Sequence, residues 1–121
     1  EMARVLAPGG RLLIANLQSF VTTRENPWHR DPATGEKLHI AVDHYITEQE
    51  QRATWQGPGG LIDIPNHHRP LGAYFQSLLS AGLRLEAFEE PMPTEDAVAR
   101  HPKLASQRRV PWFYACAWRK D

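Results

Sequence analysis

Two adjacent histidines and an arginine, residues 67–69 (HHR), directly precede the clearest helical pattern in the chain. A histidine that is neutral near pH 7 can take a proton from a bound molecule or orient it by a hydrogen bond. Loops at the carboxyl ends of strands carry the ligand sites of open α/β sheets. His68 is therefore a candidate general base or orienting group, with His67 and Arg69 as substrate-binding neighbours. The alternative is that one histidine hydrogen-bonds the backbone at the helix start and the other is solvated.

Other polar and aromatic side chains are candidates to line the same site. Asn16 interrupts an apolar strand-like run at its carboxyl end. A buried amide needs hydrogen-bond partners, which a substrate or a neighbouring loop would supply. Three aromatic residues could enclose a bound molecule, namely Tyr45, Trp55 and Tyr74, although Tyr74 also fits the apolar stripe of a core helix.

A metal site is a further alternative, because six residues have the side chains of a two-histidine, one-carboxylate site. They are His39, Asp43, His44, Asp63, His67 and His68. No spacing among them matches a zinc finger or an HExxH helix. We therefore predict no metal site.

The elements that must position these residues begin with a helix end and a strand. Residues 1–6 end a helix, which Pro8, Gly9 and Gly10 stop. Residues 11–17 (RLLIANL) carry apolar side chains on both faces, which predicts a strand covered on both faces. Such strands are typical of a sheet that lies between layers of helices.

A long excursion follows this strand. Residues 19–40 are polar and lack a period, which predicts a loop of the kind that forms lids or binding loops. Residues 41–56 predict two short strands around the turn TEQEQ, and residues 57–60 (GPGG) predict another turn before a short extended piece. We treat residues 19–69 as one lid-like, substrate-side excursion.

The remaining segments alternate between helix and strand. Residues 70–82 have one apolar stripe, begin with proline and end with glycine, which predicts a helix. Strands are predicted at 83–88 and 110–119, with a short helix capped by Thr94 between them. This alternation predicts an α/β fold, and the 121 residues suffice for one small domain.

The segments MARVLAPGGRLLIANL and HHRPLGAYFQSLLSAGLRLEAFEEP, in this order, resemble the C-terminal half of a class I S-adenosylmethionine-dependent methyltransferase of the small-molecule type. In that family, a helix ends in a Leu-x-Pro-Gly-Gly turn before the fifth strand. An HRPL-like segment opens the helix before the sixth strand. The resemblance implies strands five to seven of a Rossmann-like sheet, the last antiparallel. It also places His68 beside the substrate pocket.

The family's glycine-rich loop and the acidic residue that holds the cofactor ribose are absent from this chain. The resemblance therefore implies that residues 1–121 are a single partial domain. The S-adenosylmethionine site would lie mostly outside it, and the chain alone would be inactive. A first residue that is glutamate fits a cut or excerpted chain. The expected function is the substrate side of a methyltransferase that acts on a small molecule.

The alternative function is a non-catalytic assembly fragment. The edge of its first strand would be unpaired, and exposed edges invite pairing with another chain. The chain has 14 basic and 14 acidic residues, which gives no case for binding nucleic acid or an anionic membrane. Its apolar runs are far shorter than the roughly 18 residues of a membrane span. The single cysteine and the lack of a secretory pattern predict a cytoplasmic location.

Overall fold

The computed structural model describes the backbone of residues 1–121 and all side chains but that of Trp55, so the prediction for Trp55 lies outside the described residues. The chain divides into two compact units, residues 1–18 with 72–121, and residues 19–71. The strands are β1 Arg11–Leu17, β2 Trp28–Arg30, β3 Lys37–Ile40, β4 Gln49–Gly57, β5 Gly60–His68, β6 Leu83–Glu89 and β7 Phe113–Lys120. The helices are α1 Met2–Val5, α2 Leu71–Ser80 and α3 Glu95–Arg100, with 3-10 helices at Ser19–Val21 and Pro102–Arg108.

The first unit contains a three-stranded sheet in the order β1-β7-β6. Strand β7 runs antiparallel to both neighbours, as predicted for the last strand, so β1 and β6 are parallel to each other. The buried side chains of β7 alternate along the strand and include Tyr114 and Trp118. Phe75 of α2 packs edge-on against Trp118, with ring centroids 5.1 Å apart. Helix α2 therefore covers one face of this sheet.

The prediction that β1 is covered on both faces is wrong within the described first unit. Leu12 and Ile14 are half-buried on the face that carries Trp118 and Cys116. Leu13, on the opposite face, is 76% exposed. The apolar pattern correctly predicted a strand, but it does not determine which of its faces has a covering element.

The helix boundaries follow the predicted signals closely. Helix α2 begins at Leu71, one residue after the predicted Pro70, and Gly82 follows it with φ +77°. That left-handed conformation favours glycine after a helix end. The Thr94 side chain accepts a hydrogen bond from the Ala97 backbone N–H at 3.2 Å, as predicted for the cap of α3. None of the described helices is long and apolar enough to cross a membrane.

The second unit contains two antiparallel strand pairs, β2 with β3 and β4 with β5. Two predictions here are wrong: residues 19–40 include β2 and β3, and the segment TEQEQ at 47–51 is not a turn between two short strands, because from Gln49 onward it belongs to a single nine-residue strand, β4. The turn predicted at 57–60 is confirmed: it joins Gly57 to Gly60, whose φ of +117° only glycine adopts readily. Strand β4 is mostly polar and β5 ends in the polar residues 66–68 (NHH), so the sequence lacks the apolar alternation by which the full length of these strands would be recognised.

Candidate functional site

His68 ends β5 and is 1% exposed. Its Nε2 lies 2.8 Å from the Tyr45 carbonyl oxygen, and its Nδ1 lies 2.7 Å from the Thr22 Oγ1. A carbonyl can only accept, so Nε2 carries the proton that is donated to Tyr45. Both ring nitrogens are therefore engaged, and His68 must release one of these partners before it can take a proton from a bound molecule.

The two neighbours of His68 have different surroundings. His67 is exposed, and its Nε2 lies 3.7 Å from a carboxylate oxygen of Glu50. Arg69 is also exposed, and its Nε donates to Glu48 at 3.1 Å. Successive residues of a strand point to opposite faces, so His67 and His68 lie on opposite faces of β5. An exposed ion pair such as Arg69 with Glu48 contributes little to stability.

Tyr45 is the predicted site residue that the structure brings next to His68. The two rings meet edge to face, with centroids 5.9 Å apart. The Tyr45 hydroxyl accepts a hydrogen bond from the backbone N–H of Leu71 at 3.1 Å, at the start of α2. Tyr45 therefore links the end of β5 to Leu71, the last residue of the second unit.

A group of buried hydroxyl residues near His68 was not identified from the sequence. Ser19, Thr22 and Thr23 are all buried. Thr22 Oγ1 also lies 3.0 Å from the Ser19 carbonyl oxygen. The Oγ of Ser19 has no hydrogen-bond partner among the described residues. The available signal is the clustering of hydroxyl residues directly after β1, in the segment 19–40 that the sequence predicts to be a lid or binding loop.

Asn16 and Tyr74 line a cavity of about 270 Å³ in the first unit. The cavity lies between the sheet and α2, and its other lining residues include Ile14, Phe75, Leu78 and Tyr114. Asn16 Oδ1 accepts a hydrogen bond from the Leu17 backbone N–H at 2.9 Å, so the amide NH₂ is the group that remains to donate. The cavity is therefore largely apolar with a few polar groups, which is typical of small-molecule sites.

Tyr114, which the sequence analysis placed in an apolar strand without a role, lies opposite Asn16 in the β1–β7 register. Burial raises the pKa of its phenol above the ordinary value, and a hydrogen bond from Asn16 opposes that rise. The phenol is thus kept neutral and can donate a hydrogen bond.

The described residues do not form a nucleotide cradle of the glycine-loop type. Such a loop connects a strand to a helix. The glycines at 57–60 instead form the turn between two strands, β4 and β5. Among the described side chains, no group of three or more histidine, cysteine, aspartate or glutamate residues is placed to hold a metal ion.

Several solved structures are similar to this chain, among them the two that follow, whereas no protein-family model and no curated protein match it. One is a protein from Listeria monocytogenes that carries the assignment of S-adenosylmethionine-dependent methyltransferase, with TM-score 0.79 and 26% identity over 99% of this chain and 52% of that protein. The other is a S-adenosylmethionine-dependent methyltransferase from Mesorhizobium loti, with TM-score 0.74 and 26% identity over 99% of this chain and 56% of that protein. The predicted family is thereby confirmed: the chain has the α/β fold of S-adenosylmethionine-dependent methyltransferases and spans about half the length of those it matches.

Proposed function

We propose that this chain is the substrate-side portion of a S-adenosylmethionine-dependent methyltransferase that acts on a small molecule. The observation that carries the proposal is the structural likeness over nearly the whole chain to two proteins of that description. The residues that bind the cofactor in this family, which this chain lacks, would belong to a part of the protein outside this chain. The cofactor supplies the methyl group when bound, and the residues of this chain act on the acceptor.

The cavity of the first unit supports a small acceptor. Its volume of about 270 Å³ matches a molecule with a single ring, since a cavity of roughly 150 Å³ already holds benzene. Methyl transfer depends on holding the acceptor atom at a short distance and in line with the methyl group. In this proposal the Asn16 amide and the Tyr114 hydroxyl hydrogen-bond the acceptor, while Tyr74 and Phe75 form an apolar wall.

The test compares this chain with a longer protein that contains it, using calorimetry with S-adenosylhomocysteine. We expect binding by the longer protein and none by residues 1–121 alone. Tight binding by the isolated chain would contradict the half-enzyme proposal, and no binding by the longer protein would contradict the methyltransferase function.

The acceptor site has its own test in the longer protein. Transfer of labelled methyl groups to a panel of monocyclic phenols and amines would identify an acceptor. Asn16→Ala and Tyr114→Phe should then raise KM, whereas Ser80→Ala, a change of an exposed residue at the end of α2, should not. Unchanged KM in both cavity variants would place the acceptor elsewhere.

A second candidate function is assembly through the first unit. Among the described strands, β1 pairs with β7 alone, so its other edge is unpaired. The exposed Leu13 lies beside a shallow groove whose lining includes Ala15, Ala87, Ala115 and Ala117. An exposed edge with apolar side chains favours association with a second chain.

A further inference from the structure

Hydrogen bonds link the two ends of the second unit through one buried histidine. The unit runs from Ser19 to Leu71. At its beginning, Thr22 Oγ1 lies 3.0 Å from the Ser19 carbonyl and 2.7 Å from His68 Nδ1. At its end, the Leu71 N–H bonds the Tyr45 hydroxyl, and His68 Nε2 bonds the Tyr45 carbonyl. From this arrangement we infer that His68 holds the first and last residues of the second unit together through its hydrogen bonds to Thr22 and Tyr45. We call the group formed by Thr22, Tyr45 and His68 the latch.

The latch follows from the donors and acceptors present. Because His68 Nε2 donates to a carbonyl, the neutral ring has its lone pair on Nδ1, which competes with the Ser19 carbonyl for the single proton of the Thr22 hydroxyl. The shorter of the two Thr22 distances is the one to the ring, in agreement with donation to the ring. With His68 1% exposed, water cannot readily replace either partner.

Tyr45 is held at both of its polar groups. Its carbonyl accepts from His68 and its hydroxyl accepts from Leu71. Residues 41–48 form no strand, and their backbone is bonded to another segment at Ala41, whose N–H donates to the Pro27 carbonyl at 2.8 Å. The two hydrogen bonds of Tyr45, together with the bond from Arg69 to Glu48, attach the rest of the segment to the end of β5 and to Leu71.

Strand β4 also binds the first residues of the second unit, next to the latch. The side-chain amides of Gln49 and Gln51 both donate to the Thr23 carbonyl, at 3.0 Å and 2.7 Å. Gln49 lies directly opposite His68 in the hairpin register. Residues 19–23 are therefore bound to both strands of the hairpin, and Thr22 is their link to His68.

The inference concerns the second unit by itself and does not depend on the proposed function. Its test is amide hydrogen exchange in the full chain, combined with nitrogen NMR of the His68 ring. Thr22→Val removes one hydroxyl at nearly constant shape and leaves the Nδ1 of His68 without its donor. We expect exchange in residues 19–23 and 41–48 to accelerate about tenfold, since a buried group loses its partner. Tyr45→Phe should accelerate only the Leu71 amide and its neighbours.

The control is His67→Gln, which changes the exposed neighbour of His68 and should leave exchange unchanged. The amides of β7 should keep their protection in every variant, which separates local opening from loss of the whole fold. The ring of His68 should carry its proton on Nε2, and Thr22→Val should shift the Nδ1 signal. A proton on Nδ1, or a Thr22→Val chain with unchanged exchange, would overturn the latch.

Discussion

Ser19 is buried, with 3% of its surface exposed, yet its hydroxyl has no hydrogen-bond donor or acceptor among the described residues. A buried hydroxyl without a partner costs about 1–3 kcal/mol of folding free energy. Thr22, three residues later, has two acceptors within 3.0 Å of its own hydroxyl. A buried hydroxyl is thus expected to destabilise the folded chain at Ser19 and to stabilise it at Thr22.

Ser19→Ala should therefore leave the free energy of unfolding unchanged or raise it by about 1 kcal/mol, because an unpaired hydroxyl is removed. Thr22→Ala is the matched change and should lower it by about 1–3 kcal/mol, because the His68 ring loses its donor. Denaturant unfolding of both variants measures the difference. A Ser19→Ala chain as destabilised as Thr22→Ala would show that the Ser19 hydroxyl has a bonding partner in solution.

Tyr114 gives a pH dependence at the same scale. Burial raises its folded pKa above the value of about 10 that an unfolded tyrosine has. The unfolded chain then loses the proton first, so stability from this group is complete below about pH 10 and is lost as pH rises through the folded pKa. Tyr114→Phe should remove that alkaline loss. Urea unfolding between about pH 8 and 11 tests it, and an identical decline in both proteins would contradict the assignment to Tyr114.

Among the elements, α2 connects the sheet of the first unit to its cavity. Phe75 packs against Trp118 and also lines the cavity with Tyr74. The helix has a single apolar stripe, of which Leu78 is buried at 8% exposure while Leu79 is 50% exposed. We therefore expect Leu78 to contribute more than Leu79 to the free energy of unfolding.

Leu78→Ala should lower the free energy of unfolding by about 2–4 kcal/mol, because it removes buried methyl groups and leaves a void. Leu79→Ala should cost about 1 kcal/mol or less, since its side chain is half in solvent and alanine favours helix. Chemical denaturation of the two variants checks this pair. Equal losses would mean that the face of α2 directed to the sheet is misassigned.

For the molecule as a whole, the exposed face and the unpaired edge of the sheet in the first unit are the features that favour contact with a second chain. Strand β1 ends the β1-β7-β6 sheet, and Leu13 projects from it at 76% exposure. Natural edge strands are commonly protected by charged residues. Strand β1 has only one, Arg11 at its first position, which pairs with Glu86 at 2.8 Å.

Leu13→Lys should accordingly reduce self-association of the chain, because a charge on β1 opposes pairing and apolar contact. Leu61→Lys is the control, since Leu61 is 71% exposed in the hairpin of the second unit. Light scattering over a concentration series should show mass increasing for the unchanged chain and for Leu61→Lys, and increasing less for Leu13→Lys. A monodisperse monomer at every concentration would contradict association through this face.

The sequence by itself determined the α/β class, the family and several element boundaries. Strand β1, helix α2, the glycine after it and the Thr94 cap were predictable because their signals are local: apolar periods, turn glycines and capping side chains. It predicted the turn at 57–60 with extended pieces beside it, but not the nine-residue length of β4 and β5, because the polar residues at the far ends of these strands carry no such period.

Only the tertiary structure decided what the candidate site residues contact. His68 was predicted as a base or orienting group, and its partners Thr22 and Tyr45 lie 46 and 23 residues away in the sequence. Tyr114 gained a role only because the β1–β7 register places it opposite Asn16. Hydrogen-bond partners so far apart are chosen by strand pairing and burial, which no local pattern encodes. The chemistry of a residue type can be read from the sequence, whereas the partners that direct this chemistry depend on the fold.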